Sequence, residues 1–177
     1  MKPLQSLRRI FFIRSSALAA ALIGGASQAQ TAASCTTEVQ SQNRRARNKK
    51  TVHEFYDLAF NQSKPAEAIA RYTGTTYIQH NPEVKDGKQG FIDYFDTMAK
   101  RYSPDARGSR MRVEFIRTVA EADLVTVHCR HTFRDWTGES RFAGVDIFRL
   151  DAEGKIVEHW DVLQKIGGGD ASGNGMF

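Results

Sequence analysis

Apolar residues in this chain recur at helical spacing as far as Tyr102 and at strand spacing after Pro104. That one change of period limits the fold more than any other feature. On the first side, Val52, Phe55, Tyr56, Ala59 and Phe60 mark one face of a helix. Ser63 as a cap and Pro65 in the first turn open a shorter helix, with Ile69, Ala70 and Tyr72 inward, which Thr73-Gly74 stops. Asp86 with Gln89 three residues on has the spacing of a capping box, and Phe91, Ile92, Phe95, Met98, Ala99 and Tyr102 predict a third amphipathic helix. On the second side, Met111, Val113 and Phe115 alternate with Arg112 and Glu114. The segments 124–133, 141–150 and 155–164 read as further strands joined by polar turns. Helices first and strands after predict an α+β domain, its helices packed on one face of an antiparallel sheet. A chain of 177 residues that is 41% hydrophobic suits one such domain with a real core, expected over 48–166.

The start of the chain, "MKPLQSLRRIFFIRSSALAAALIGGASQAQ", reads as an export signal. Lys2, Arg8, Arg9 and Arg14 make it basic, and Ser15 to Gly25 form an apolar run too short to span a bilayer. Small residues at Ser27 and Ala29 place cleavage after Ala29, and an uncleaved anchor is the rival reading. "RRIFF" is similar to a twin-arginine signal, although Leu7 precedes the pair. A signal peptide over 1–29, a linker over 30–47 and a flexible glycine-rich tail over 167–177, from which Met176 and Phe177 could dock, complete the expected layout. The expected location is the periplasm or the medium, with membrane contact only through the signal.

Export changes the meaning of the charge. The full chain carries a formal +5, but residues 1–29 hold four basic and no acidic residues, which leaves 21 basic against 20 acidic. The cluster Arg44, Arg45, Arg47, Lys49 and Lys50 has no interleaved aromatics, so no nucleic-acid partner is expected. Cys35 and Cys129 allow either a disulfide, as an exported protein tolerates, or two free thiols; "TAASC" offers only a weak lipidation pattern at Cys35.

Polar groups converge at the last hairpin. If "DAEG" (151–154) is a four-residue turn, Leu150 faces Lys155, Asp146 faces His159 and Gly144 faces Asp161. Asp146, Phe148 and Leu150 then share a face with Val157, His159, Asp161 and Leu163. On the strand before it, Thr126, His128, Arg130 and Thr132 form a polar side, and Val125, Val127, Cys129, His131 and Phe133 an apolar one. His128 lies beside Asp146 in one register, and Cys129 does, with His131 on its face, in the register slipped by one; His128 is the candidate for a pocket. His80, in "YIQHNP", is a further candidate, though a lone histidine there also reads as a turn residue bonded to backbone. Asp146 between Val145 and Ile147 should resist ionisation, so its pKa is expected to rise toward the range useful for proton transfer.

The stretches "NKKTVHEFYDLAFNQSKPAEAIARYTGTTYIQHNP", "DGKQGFIDYF", "VHCRH", "GVDIFRLDAEGKIVEHWDVLQ" and "NGMF" together resemble SnoaL-like proteins of the nuclear transport factor 2-like superfamily. The resemblance implies a cone-shaped barrel in which a curved sheet wraps a pocket closed by three helices, often as a homodimer packed through the sheet. It implies polyketide cyclase, isomerase or dehydratase chemistry with no metal and no organic cofactor. Asp146 would be the acid/base group, and His80 and His128 would line the pocket. Arg130 stands where related sequences carry a smaller polar or imidazole group, which would favour a carboxylate ligand.

Three functional readings follow. The first is a lyase or isomerase acting on a small carbonyl compound: Asp146 shuttles the α-proton, and His80 and His128 hold the enolate oxygen. His159 is then a reserve base, Tyr56, Asp161, Phe95, Phe148 and Arg130 contact the substrate, and Phe55 and Phe91 help to exclude water. The second is a binding protein that holds an apolar ligand in the same pocket without turnover. The third is a zinc or iron site built from His80, His128, His159 and Asp146, whose ligands lack close spacing in the chain; no metal is the expectation.

Overall fold

The computed structural model describes residues 23–102, 110–135 and 137–177, so most of the expected signal peptide lies outside the described residues. The chain divides into two compact units, Met1–Glu38 and Val39–Phe177. In the first, residues 23–38 are helical throughout. Helix α1 is Ile23–Tyr56, so the segment 30–47, expected as a linker, is helix. The physical reason is that it contains no proline or glycine to break one. No described helix is long and apolar enough to cross a membrane.

The larger unit carries the fold. From its Tyr56 end, α1 passes into a π-helical turn, Asp57–Asn61, and then α2, Pro65–Tyr72. Proline opens α2 as expected, but Ser63 does not cap it: the cap position is Lys64, and Ser63 takes a positive φ of 55° in the turn before it. Strand β1 (Thr73–Gln79), α3 (Gly87–Tyr102), β2 (Arg110–Glu121), β3 (Leu124–Asp135), β4 (Gly138–Leu150) and β5 (Ile156–Lys165) follow. Asp86 precedes α3 but accepts from the backbone N–H of Gln79 (2.8 Å), tying the helix entry to β1.

The five strands lie in the order β1-β5-β4-β3-β2. β1 is parallel to β5 and the other pairs are antiparallel, so the sheet is curved and unclosed rather than a full barrel. β1 is an addition to the sequence reading; its polar, threonine-rich run suits an edge position. Bulges interrupt the β2–β3 pairing between Phe115 and Arg117 and the β4–β5 pairing beside Arg149. Such extra residues bend and twist a sheet.

The β4–β5 hairpin differs from the expected register by two residues over most of its length. Leu150 pairs with Ile156, which leaves a five-residue turn, and Val157 is the bulged residue, so Asp146 pairs with Asp161 and Phe148 with His159. A shift of two preserves side-chain parity. Asp146, Phe148, His159 and Asp161 therefore keep the expected face, while Ile156, not Val157, fills the core at that end.

One face of the sheet packs on the helices. Val52, Phe55, Phe60 and Ile69 meet Phe91 of α3 and Val113, Val125, Val127, Phe148, Leu150 and Ile156 of the sheet. Phe55 joins the layers, its ring 5.3 Å from Phe91 and 6.3 Å, nearly edge-on, from Phe148.

Candidate functional site

Four elements bring polar groups to the inner face of the sheet. Tyr56 is the last residue of α1, and the wider π turn after it sets Phe60 edge-on against its ring at 4.7 Å. Asn61 pins that turn to β2 through both the N–H (2.8 Å) and the carbonyl (3.2 Å) of Val113. Such turns recur at functional sites. On β3 the buried side is Val125, Val127, Cys129 and His131, on β4 it includes Asp146 and Phe148, and on β5 it includes His159.

Asp146 is the centre. It is 1% exposed, and its two oxygens serve different partners. Oδ1 accepts from Tyr56 Oη (2.5 Å) and lies 3.5 Å from His159 Nε2. Oδ2 accepts from the Cys129 thiol (3.0 Å) and lies 3.7 Å from His131 Nε2, which is itself 3.1 Å from the sulfur. Burial pushes the Asp146 pKa up, but hydrogen bonds and charge from His131 and His159 outweigh it and hold the carboxyl well below the usual range. This reverses the expected rise: its apolar sequence neighbours face away from it, whereas two histidines face it. Burial, with Asp146 adding to it, pushes the Cys129 thiol and the Tyr56 phenol up, so both stay protonated as donors to an anionic carboxylate.

The His159 tautomer follows from its neighbours. Gln79 Oε1 accepts from the Asn81 backbone N–H (2.9 Å), and Gln79 Nε2 donates to Tyr77 (3.2 Å), which fixes the amide's orientation. His159 Nδ1, 3.1 Å from that oxygen, therefore carries a hydrogen. Nε2, 3.1 Å from Tyr56 Oη, is left as the position where a proton is gained or lost. Asn81 also donates to both oxygens of Asp161 at 2.8 Å.

A cavity of about 50 Å³ opens on this cluster. Tyr56, His131, His159 and Asp161 are its polar wall, and Phe60, Phe91, Phe95, Phe133 and Met98 its apolar one. No lysine or arginine lines it among the described residues.

Of the residues singled out in the sequence, Tyr56, Phe95, His159 and Asp161 reach the cavity wall, as do Phe91 and His131. Asp146 lies behind it, and Phe148, fully buried, packs on Tyr56 and His159 from the core side, as Phe55 does on Phe148. His80, His128 and Arg130 do not come to the site. His80 follows β1, one position past the inward Gln79, so it points outward, bonds Glu158 (2.9 Å) and stacks on Trp160 at 4.8 Å. His128 and Arg130 lie on the outer face of β3, where the Phe177 ring stacks on His128 (5.3 Å) and sits under Arg130 (4.3 Å). The glycine-rich tail, expected to be flexible, thus ends in a docked ring. With His80 and His128 outside, the four-residue metal set does not converge.

Gln79 and Asn81 are site residues that the sequence reading passed over, and Cys129 and His131 are ones it placed beside Asp146 only in the slipped register while taking His128 as the candidate. The signal for Cys129 and His131 was parity: Val125, Val127, Cys129 and His131 are one unbroken inward row. Cys129 is a free thiol, and the Cys35 side chain lies outside the described residues.

A family model described as "SnoaL-like domain" matches residues 52–159. No curated protein matches. Among solved structures, TsrD from Streptomyces laurentii is 20% identical, with a TM-score of 0.56 over 67% of this chain and 89% of that one. A candidate polyketide cyclase from Bacillus cereus is 18% identical (TM-score 0.56; 66% and 74% covered). An LEH-like epoxide hydrolase from M. tuberculosis is 15% identical (TM-score 0.55; 68% and 84%). At such identities the likeness speaks for the fold, the α+β nuclear transport factor 2-like fold, and not for the reaction. With a family model that runs from Val52 in the first core helix to His159 in the last strand, the chain belongs to the SnoaL-like domain family.

Proposed function

We propose that this protein is an acid/base enzyme that moves a proton at the carbon next to a carbonyl, as a cyclase, isomerase or lyase of a small carbonyl compound. The observation that carries the reading is the chain Gln79–His159–Tyr56–Asp146, whose His159 and Tyr56 members line an aromatic-walled cavity while Asp146 backs them from behind. His159 acts as the base through Tyr56. The phenol gives its hydrogen to Nε2, 3.1 Å away, as its oxygen takes the α-proton of the substrate. The new imidazolium N–H then donates to Tyr56 Oη, whose hydrogen turns back to Asp146. The buried carboxylate stabilises the imidazolium through the phenol and across 3.5 Å. Asp146 is thus a positioning and charge-balancing residue that touches no substrate, and Tyr56 and His159 are the catalytic residues. Asp161, steadied by Asn81, is a carboxylate that does line the cavity. The proton step uses only these side chains.

The cavity in this form has the volume of one or two waters, far below that of ordinary ligand sites, so a substrate enters by displacing Phe95, Met98 or the 81–84 segment. The test is deuterium wash-in: small cyclic ketones and 1,3-diketones are incubated with the protein in D2O and followed by proton NMR. Exchange above the buffer rate is expected, reduced about 10²-fold or more by His159→Gln or Asp146→Asn. Saturable binding without exchange would favour the non-catalytic binding protein, and exchange unaffected by either substitution would overturn the assignment.

Two further parts of the reading lie outside the site. The basic, then apolar start of the chain supports export to the periplasm or medium. The outward valines Val119, Val145 and Val162 support a homodimer packed through the sheet.

A further inference from the structure

The proton step uses one oxygen of Asp146 and leaves Oδ2, Cys129 and His131 without a task. We propose that Cys129 Sγ, His131 Nε2 and Asp146 Oδ2 form a binding site for one divalent transition metal ion, zinc or iron(II), with its open position toward the cavity.

Geometry is the first argument. Metal–ligand bonds of about 2.0–2.3 Å at tetrahedral angles put neighbouring ligand atoms about 3.4–3.6 Å apart. The three atoms are separated by 3.0, 3.1 and 3.7 Å, so shifts of about half an ångström reach that arrangement. Cys129 and His131 are i and i+2 on one strand, and Asp146 is on its hydrogen-bonded neighbour, so the sheet holds all three on one face.

Charge is the second. Asp146 pairs directly with Asp161 across β4 and β5, both on the inner face, and like charges so placed repel. His131 and His159 face Asp146, and Asn81 holds Asp161, but no lysine or arginine, the permanently charged partners, lines the cavity among the described residues. A divalent ion with one thiolate, one carboxylate and one neutral imidazole is electrically balanced. Binding replaces the S–H bond with a metal–sulfur bond and releases the thiol proton to solvent, with no redox change.

The alternative trio of Asp146, His159 and Asp161 is already engaged: Tyr56 holds Oδ1, and Asn81 holds both oxygens of Asp161. Room is the last argument, because a cavity of about 50 Å³ beside His131 admits the one water an open coordination position needs.

The site does not rest on the proton-transfer reading, which occupies the other oxygen. The test is titration of the metal-stripped full chain with Co2+. One equivalent should bring a thiolate-to-cobalt charge-transfer band in the near ultraviolet and the visible bands of tetrahedral cobalt. Cys129→Ser should remove the first, His131→Gln should weaken binding at least about tenfold, and Cys35→Ser should change neither. Circular dichroism checks that each variant is folded; if Cys129→Ser is not, the zinc-induced rise in Tm, present in wild type and lost in Asp146→Asn, decides in its place. No band with wild type, a band that survives Cys129→Ser or is lost in Cys35→Ser, or a zinc shift kept in Asp146→Asn would overturn the site. Failure here leaves deuterium exchange untouched, and failure of exchange leaves the cobalt spectrum untouched.

Discussion

Tyr77 and Tyr56 are buried beside carboxylates, and that sets their behaviour in alkali. Burial first, then the charges of Asp161 and Asp146, push the Tyr77 phenol far up, and Tyr56 is raised by burial and by Asp146. A pKa raised on folding contributes stability in full below the ordinary phenol value of about 10, and that stability drains away as the pH climbs from there toward the folded value. An absorbance titration should therefore show two of the five tyrosines protonated until the fold is lost, in one alkaline transition. If all five ionise smoothly near 10 with the circular dichroism intact, the burial is wrong. At this scale the shared inward face of His159, Asp146 and Asp161 was legible from strand parity, and the inward side of Tyr56 from helical spacing. His80 and His128 face away from this cavity, because the direction of a side chain depends on where its strand begins, which residue type does not reveal.

Elements meet at glycines. A Cβ on Gly90 of α3 would stand 2.0 Å from the backbone oxygen of Lys85, which cannot swing aside, so Gly90→Ala should cost about 3 kcal/mol or more in urea unfolding. Gly144 of β4 faces side chains instead: its Cβ would meet the His131 ring and Leu163 at 2.9 Å. Those can give, so Gly144→Ala should cost about 1–2 kcal/mol and tilt His131. Gly167→Ala, with nothing within 4 Å, should be neutral and serves as the control. Helices and long strands were readable from their periods. The β4–β5 register was not, because turn length and the bulge at Val157 each add a residue, and only their sum of two returns Asp146 and His159 to one face.

For the whole molecule, the outer face of the sheet bears on assembly. Val145 and Val162 pair across β4 and β5 with 45% and 74% of their surfaces exposed, and Val119 lies on the same outer side of β2. Light scattering is expected to give a dimer mass for wild type and a monomer mass for the Val145→Lys, Val162→Lys double variant, with the fold unchanged. A monomer in both would remove the dimer reading. The docked Phe177 shares this face through His128 and Arg130, so its removal should alter the dimer before it alters the core.

Periodicity determined the three helices and the four long strands after them, but not β1 between α2 and α3, and which side of each long strand would be wet, because burial acts on residues at fixed local spacing. The family resemblance extended that to the architecture. What only the tertiary structure decided is which inward groups touch. Asp146 meets Tyr56, His131, His159 and Cys129 because a π turn ends the first core helix over the sheet and a bulge resets the last hairpin. Its charge follows from those contacts: ionisation depends on neighbours within a few ångströms in space, and none of these four lies within 10 residues of it in the chain.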